Sequence, residues 1–135
     1  MAADTAVHIV VITAPERLEQ DWINRLAHEP DFGRVERVGV LSAALEMVQQ
    51  TRPDLVIVDY ILNGVDGGEV CQQIKVDNKT SNLPVMLMSA YPKVFKPLKD
   101  YGCDDFIAKP FDLDDFVVRI KKLMNDGMNK NLHAI

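Results

Sequence analysis

The chain has 135 residues, 47% of them apolar and 26% charged, and a formal net charge of −5. This length suits one domain with a core of its own, and the composition is that of a globular chain rather than a disordered one. An acidic chain without a basic run is a poor ligand for nucleic acid, because phosphate neutralisation supplies most of that affinity.

Val7 to Thr13 is rich in Val and Ile and reads as a buried first strand. It is too short to cross a bilayer and lacks the basic flank of a signal segment, so neither a membrane span nor a leader is expected. Pro15 suits the first position of a helix, and Leu18, Trp22 and Leu26 recur every four residues along it. Arg34 to Val40 alternates charged and apolar residues, as a half-exposed edge strand does. Ser42 is a good N-cap for a helix over Ala43 to Gln50, which stops before Pro53.

Leu55-Val56-Ile57-Val58 is a β-branched run right for a strand buried on both faces, and it ends abruptly in the carboxylate of Asp59. Asn63-Gly64 and Asp66-Gly67-Gly68 break the chain after it. Asp66 then caps a helix with Glu69 as its capping-box partner, and Val70, Cys71 and Ile74 face inward. Val85 to Met88 forms the next strand, ending at Ser89. Pro97 predicts a short or broken helix in the irregular segment that follows. Asp105 to Ala108 is the last strand, closed by Lys109-Pro110. Asp112 caps the final helix, whose inward stripe is Phe116, Val117, Ile120, Leu123 and Met124, and Gly127 can end it. The domain is expected over residues 1–126, with 127–135 as a polar tail or linker stub.

Strands alternating with helices predict an α/β fold: a doubly wound, flavodoxin-like (βα)5 three-layer sandwich with parallel strand order 2-1-3-4-5. Ligands of such sheets bind at the carboxyl ends of the strands. Thr13-Ala14, Asp59, Ser89-Ala90 and Lys109-Pro110 all lie there. A carboxylate can attack a phosphoryl group, an ammonium can neutralise its oxygens, and a hydroxyl can donate to one of them. Cys71 and Cys103 form no CxxC, and no His spacing completes a metal site, which suggests a reduced, cytoplasmic chain. His8, His28 and His133 fit no Ser-His-Asp order, and Thr13 to Leu18 lacks the glycine-rich loop that a nucleotide or flavin phosphate requires.

Leu55-Val56-Ile57-Val58-Asp59, the Asp66-Gly67 turn, Met88-Ser89-Ala90 and Gly102 to Phe111 together resemble the receiver domain of two-component response regulators, over residues 6 to 126. The resemblance implies that Asp59 accepts a phosphoryl group from a histidine kinase or phosphotransfer protein. It further implies that Lys109 is the ion-pair partner of Asp59 and that Ser89 and Phe106 are the switch residues. The Lys109-Pro110 bond is usually cis in that family. An effector domain or partner protein would carry the output.

The chain departs from the family where an acidic pair usually holds Mg²⁺. Thr13 and Ala14 stand at those positions, and Glu16 is offset from them. Mg²⁺ would be left with Asp59, the Ile61 carbonyl and water, so its binding is expected to be weak or absent. Two readings follow. One is a working phosphorylation switch; the other is a pseudo-receiver that binds partners independently of phosphorylation, with Val94, Phe95, Leu98 and Tyr101 as apolar surface.

Overall fold

The computed structural model describes residues 7–13, 20–30, 32–39, 41–62, 65–89, 102–109 and 111–133. In chain order the elements are β1 (His8–Ile12), α1 (Gln20–Ala27), β2 (Arg34–Val38), α2 (Leu41–Thr51), β3 (Leu55–Asp59), β4 (Ile61–Leu62), β5 (Val65–Asp66), α3 (Gly67–Val76), β6 (Val85–Ser89), β7 (Asp105–Ala108) and α4 (Leu113–His133).

Five of the strands pair in parallel in the order β2-β1-β3-β6-β7. Counted along the chain, that is the 2-1-3-4-5 order predicted from the strand composition. The cause is visible in the alternation of side chains along each strand. Ile9, Val11, Leu55, Ile57, Met86 and Met88 join Leu26 of α1 and Phe116, Val117 and Ile120 of α4 in one apolar layer. Val10, Ile12, Val56, Val58, Val85 and Leu87 join Ala44 and Val48 of α2 and Val70, Cys71 and Ile74 of α3 in the other. Strands apolar at both parities need helices on both faces, which only the crossover connections of a parallel sheet supply. β2 sits at the edge, only partly buried along most of its length. The predicted stripe of the last helix is confirmed: Phe116, Val117 and Ile120 are buried, with Leu123 and Met124 packed beside them.

Some local expectations are corrected. α2 begins at Leu41, so Ser42 lies in its first turn instead of capping it; the N–H groups of that turn lack intrahelical partners, and serine is tolerated there. β2 stops at Val38, with Gly39 beyond it, and Val40 lies outside the described residues. The stretch after Asp59 is more than a loop, since β4 and β5 pair antiparallel, Ile61 with Asp66 and Leu62 with Val65. Asn63-Gly64 between apolar residues is a strong hairpin signal that the sequence reading took only as a break. The helix after it starts at Gly67, which leaves Asp66 at the cap position expected of it. The last helix does not end at Gly127 but continues to His133. An interior glycine costs a helix about 1 kcal/mol relative to alanine, which the turns on either side outweigh. Leu18, the Trp22 side chain, Pro110 and the segment 90–101, with Pro97 and the apolar residues Val94, Phe95, Leu98 and Tyr101, lie outside the described residues.

The hairpin returns the chain onto the end of β3. The Gly67 N–H donates to the Tyr60 carbonyl at 2.6 Å. A Cβ at Gly67 would meet the Asp59 carbonyl oxygen at 2.3 Å and the Tyr60 Cα at 2.9 Å. Both obstacles are backbone, so a larger residue must push the start of α3 away from β3. Gly67→Ala is expected to lower stability by about 2 kcal/mol. In urea denaturation the midpoint should fall with the slope unchanged.

Candidate functional site

Asp59 is the last residue of β3 and is only 2% exposed. Strands on either side of β3 bring its neighbours. Thr13 follows β1, is fully buried, and donates its N–H to the Val38 carbonyl at 3.1 Å. Its hydroxyl donates to Oδ2 of Asp59 at 3.4 Å, a long and therefore weak hydrogen bond. Lys109 follows β7, and its backbone N–H donates to the Ser89 carbonyl at 2.9 Å, continuing the β6–β7 ladder one step beyond the Ser89–Ala108 pair. From that anchor its Nζ reaches Oδ2 of Asp59 at 3.2 Å.

The alternation that builds the core also builds this contact. Thr13 continues the parity of Ile9 and Val11, Asp59 that of Leu55 and Ile57, and Lys109 that of Ile107. The apolar members of these series belong to the layer under α1 and α4. The polar residues therefore emerge on one side of the carboxyl edge, where the strands run out of apolar sequence.

Ser89 ends β6 and is 2% exposed. It lies one residue past Met88, the register partner of Asp59. Its parity is that of Val85 and Leu87, in the opposite layer. Phe106 lies on β7 and, like Tyr60, Leu83 and Cys103, packs against that same opposite layer; its carbonyl accepts from Arg119 at 2.8 Å. The structure thus brings Asp59, Lys109 and Thr13 together, and sets Ser89 on the adjoining strand end and Phe106 further down β7. Ile61 lies in β4, two residues past Asp59, and Ala14 and Ala90 fall outside the described residues.

A resident divalent cation fits this donor set poorly. Among the described residues no group of three or more His, Cys, Asp or Glu side chains converges. The charges of Asp59 and Lys109 cancel, Thr13 offers only a neutral hydroxyl, and the ammonium already occupies Oδ2. Mg²⁺ needs near-octahedral oxygen ligands and carboxylate charge to displace its water. What the pocket does supply is a carboxylate held out of bulk water and a cation beside it. That pair can attack an electrophilic phosphorus and neutralise the oxygens that arrive with it.

Sequence reasoning missed two features. The direct Thr13–Asp59 contact could have been anticipated from strand parity. The close approach of Gly67 to the Asp59 carbonyl is signalled by the Asp66-Gly67-Gly68 run, which the sequence reads as a turn and helix cap without that contact.

Known proteins resemble this chain over most of its length. A family model described as the response regulator receiver domain matches residues 9–121. The response regulator ArlR of Staphylococcus saprophyticus is 32% identical over 126 residues, which cover 92% of this chain and 55% of that protein. The DNA-binding dual master transcriptional regulator RpaA of Synechocystis is 34% identical over 88 residues, 64% of this chain and 36% of that protein. The chain therefore spans about half the length of these relatives, or less. Among solved structures, the chemotaxis response regulator CheY4 of Vibrio cholerae superposes with a TM-score of 0.76 at 16% identity, covering 88% of this chain and 99% of that one. At that identity the likeness is one of fold.

If Lys109 offsets the burial of Asp59, removing the lysine alone leaves a carboxylate without its partner. Lys109→Met is expected to cost roughly 3 kcal/mol. The double variant D59N/K109M should recover most of that loss. Urea denaturation of the wild type and the three variants measures the coupling; simple addition of the two single costs would show that the pair contributes nothing.

Proposed function

The chain belongs to the response regulator receiver domain family, and we propose on that footing that it accepts a phosphoryl group on Asp59 from a histidine kinase or phosphotransfer protein. The observation that carries this reading is the buried Asp59 carboxylate at the carboxyl end of a central strand, with the Lys109 ammonium 3.2 Å away. A carboxylate oxygen attacks phosphorus, the bond from phosphorus to the donor imidazole nitrogen breaks, and the imidazole leaves with a proton. The product is an acyl phosphate on Asp59. Lys109 neutralises the phosphoryl oxygens, so its contact with the carboxylate is exchanged for one with the new group.

In this reading Ser89 donates its hydroxyl to a phosphoryl oxygen, and Phe106 repacks as the end of β6 moves. The phosphoryl contacts need only favour the second arrangement by a few kcal/mol, on the order of ordinary allosteric coupling. Mg²⁺ binding is weak or absent, since the Thr13 hydroxyl stands where the family carries an acid. The receiver unit is assigned to residues 1–126, from which the last turns of α4 extend. Its output passes to an effector domain or a partner protein, as the greater length of the relatives suggests. No direct contact with nucleic acid or membrane is proposed; among the described residues no helix is long and apolar enough to cross a membrane. The module works in the cytoplasm as a signalling element rather than as an enzyme in its own right.

The test is intact-mass measurement after incubation with acetyl phosphate or phosphoramidate, across a range of Mg²⁺ concentrations. Wild type should gain one phosphoryl group and Asp59→Asn none, while Lys109→Met should react roughly 100-fold more slowly. Absence of any gain from either donor, and from a phosphorylated histidine phosphotransfer protein, would overturn the proposal. It would leave the phosphorylation-independent interaction module in its place.

A further inference from the structure

Away from the carboxyl edge, two cysteines that the phosphoryl chemistry does not use meet across an element boundary. Cys71 lies in α3 and is fully buried; Cys103 precedes β7 and is partly exposed. Their sulfur atoms are 2.6 Å apart, although 32 residues separate them in sequence. A buried cysteine is ordinarily a small apolar filler, and Cys71 alone would be read that way. The second thiol, Cys103, is partly buried against the same apolar layer, and its sulfur lies directly on that of Cys71.

The surrounding contacts hold both backbones in place. Gly102 has a φ of 90°, a left-handed conformation that turns the chain into Cys103. Next to the cysteines, Lys75 of α3 pairs with Asp104 at 2.5 Å and donates to the Leu83 carbonyl at 2.6 Å. Asp104 in turn accepts from the Val85 N–H at 2.8 Å. These links clamp α3 to the start of β6 and β7.

We propose that Cys71 and Cys103 are a redox site that closes to an intramolecular disulfide when the chain meets a hydroperoxide. The partly exposed Cys103 reacts first. Its thiolate attacks one peroxide oxygen, the O–O bond breaks, and the departing hydroxide takes up a proton to give water and a Cys103 sulfenic acid. Cys71 sulfur then attacks Cys103 sulfur; the S–S bond forms, the S–O bond breaks, and the hydroxyl leaves as water with the Cys71 proton. Two thiols lose two electrons and the peroxide becomes two waters. The hydrogen bond with Cys103 and burial both push the Cys71 thiol up from its ordinary range, which fits Cys103 as the first to react.

The bond would close a ring in the chain that contains β6 and Ser89. It would also join α3, whose first residue packs on the Asp59 carbonyl, to β7, which leads into Lys109. The site itself does not depend on the phosphoacceptor reading, and its test is independent of phosphorylation.

The experiment treats the full wild-type chain with equimolar and excess hydrogen peroxide and reads it by non-reducing intact mass, peptide mapping and thiol titration. The expected product is a monomer lighter by two hydrogens, with the Cys71 and Cys103 peptides joined, both free thiols gone, and both restored by dithiothreitol. Its thermal midpoint should exceed that of the reduced chain by roughly 5 °C or more. In a Cys71→Ser variant the sulfenic acid at Cys103 should persist and be captured by dimedone. Oxygen added to Cys103 with the Cys71 thiol intact in wild type, or disulfide-linked dimers in place of the closed monomer, would overturn the proposal.

Discussion

The structure depends on a carboxylate taken out of water. Asp59 is 2% exposed, and the Lys109 ammonium lies 3.2 Å from it. Burying a lone carboxylate costs several kcal/mol, whereas an opposite charge in hydrogen-bond contact offsets much of that cost. Fifty residues separate the partners in sequence. Only a sheet that lays the last strand beside the fourth, and the fourth beside the central one, brings them to one edge. The β3–β6 and β6–β7 registers do so, and the Lys109–Ser89 backbone bond fixes where the lysine leaves the ladder.

The same pair sets the character of the pocket. With Thr13 as the third member, the described part of the site is neutral overall and offers one carboxylate. A phosphoryl group brings between one and two negative charges into it. Lys109 is then the cation within reach of that charge. Under the proposed function, Lys109 is central to accommodating the phosphoryl group among the described residues, where an acidic pair holding a metal ion would share that task.

Much of this was legible in the sequence, for physical reasons. Val-, Ile- and Leu-rich runs bounded by polar residues mark strands buried on both faces, and from them follow the parallel sheet, its strand order and the shared edge of Asp59, Ser89 and Lys109. Contacts that turn on local detail were harder to see. Asn63-Gly64 signalled a hairpin, but with only two residues pairing on each side its strands were too short to show a period. Gly127 was read as a stop because glycine favours helix ends, although neighbouring turns can carry a helix through it. The Cys71–Cys103 contact has no local signal, since it arises only when α3 is laid across the start of β7.

In the proposed function, Thr13, Asp59 and Lys109 form a neutral pocket with little call for a divalent cation. Calorimetric Mg²⁺ titration of the wild type and of Thr13→Asp tests it most directly. Wild type should not saturate at about 1 mM Mg²⁺, and Thr13→Asp should gain at least roughly tenfold in affinity, as a second carboxylate joins Asp59. Saturable binding by wild type below that concentration, unaltered by the substitution, would contradict it.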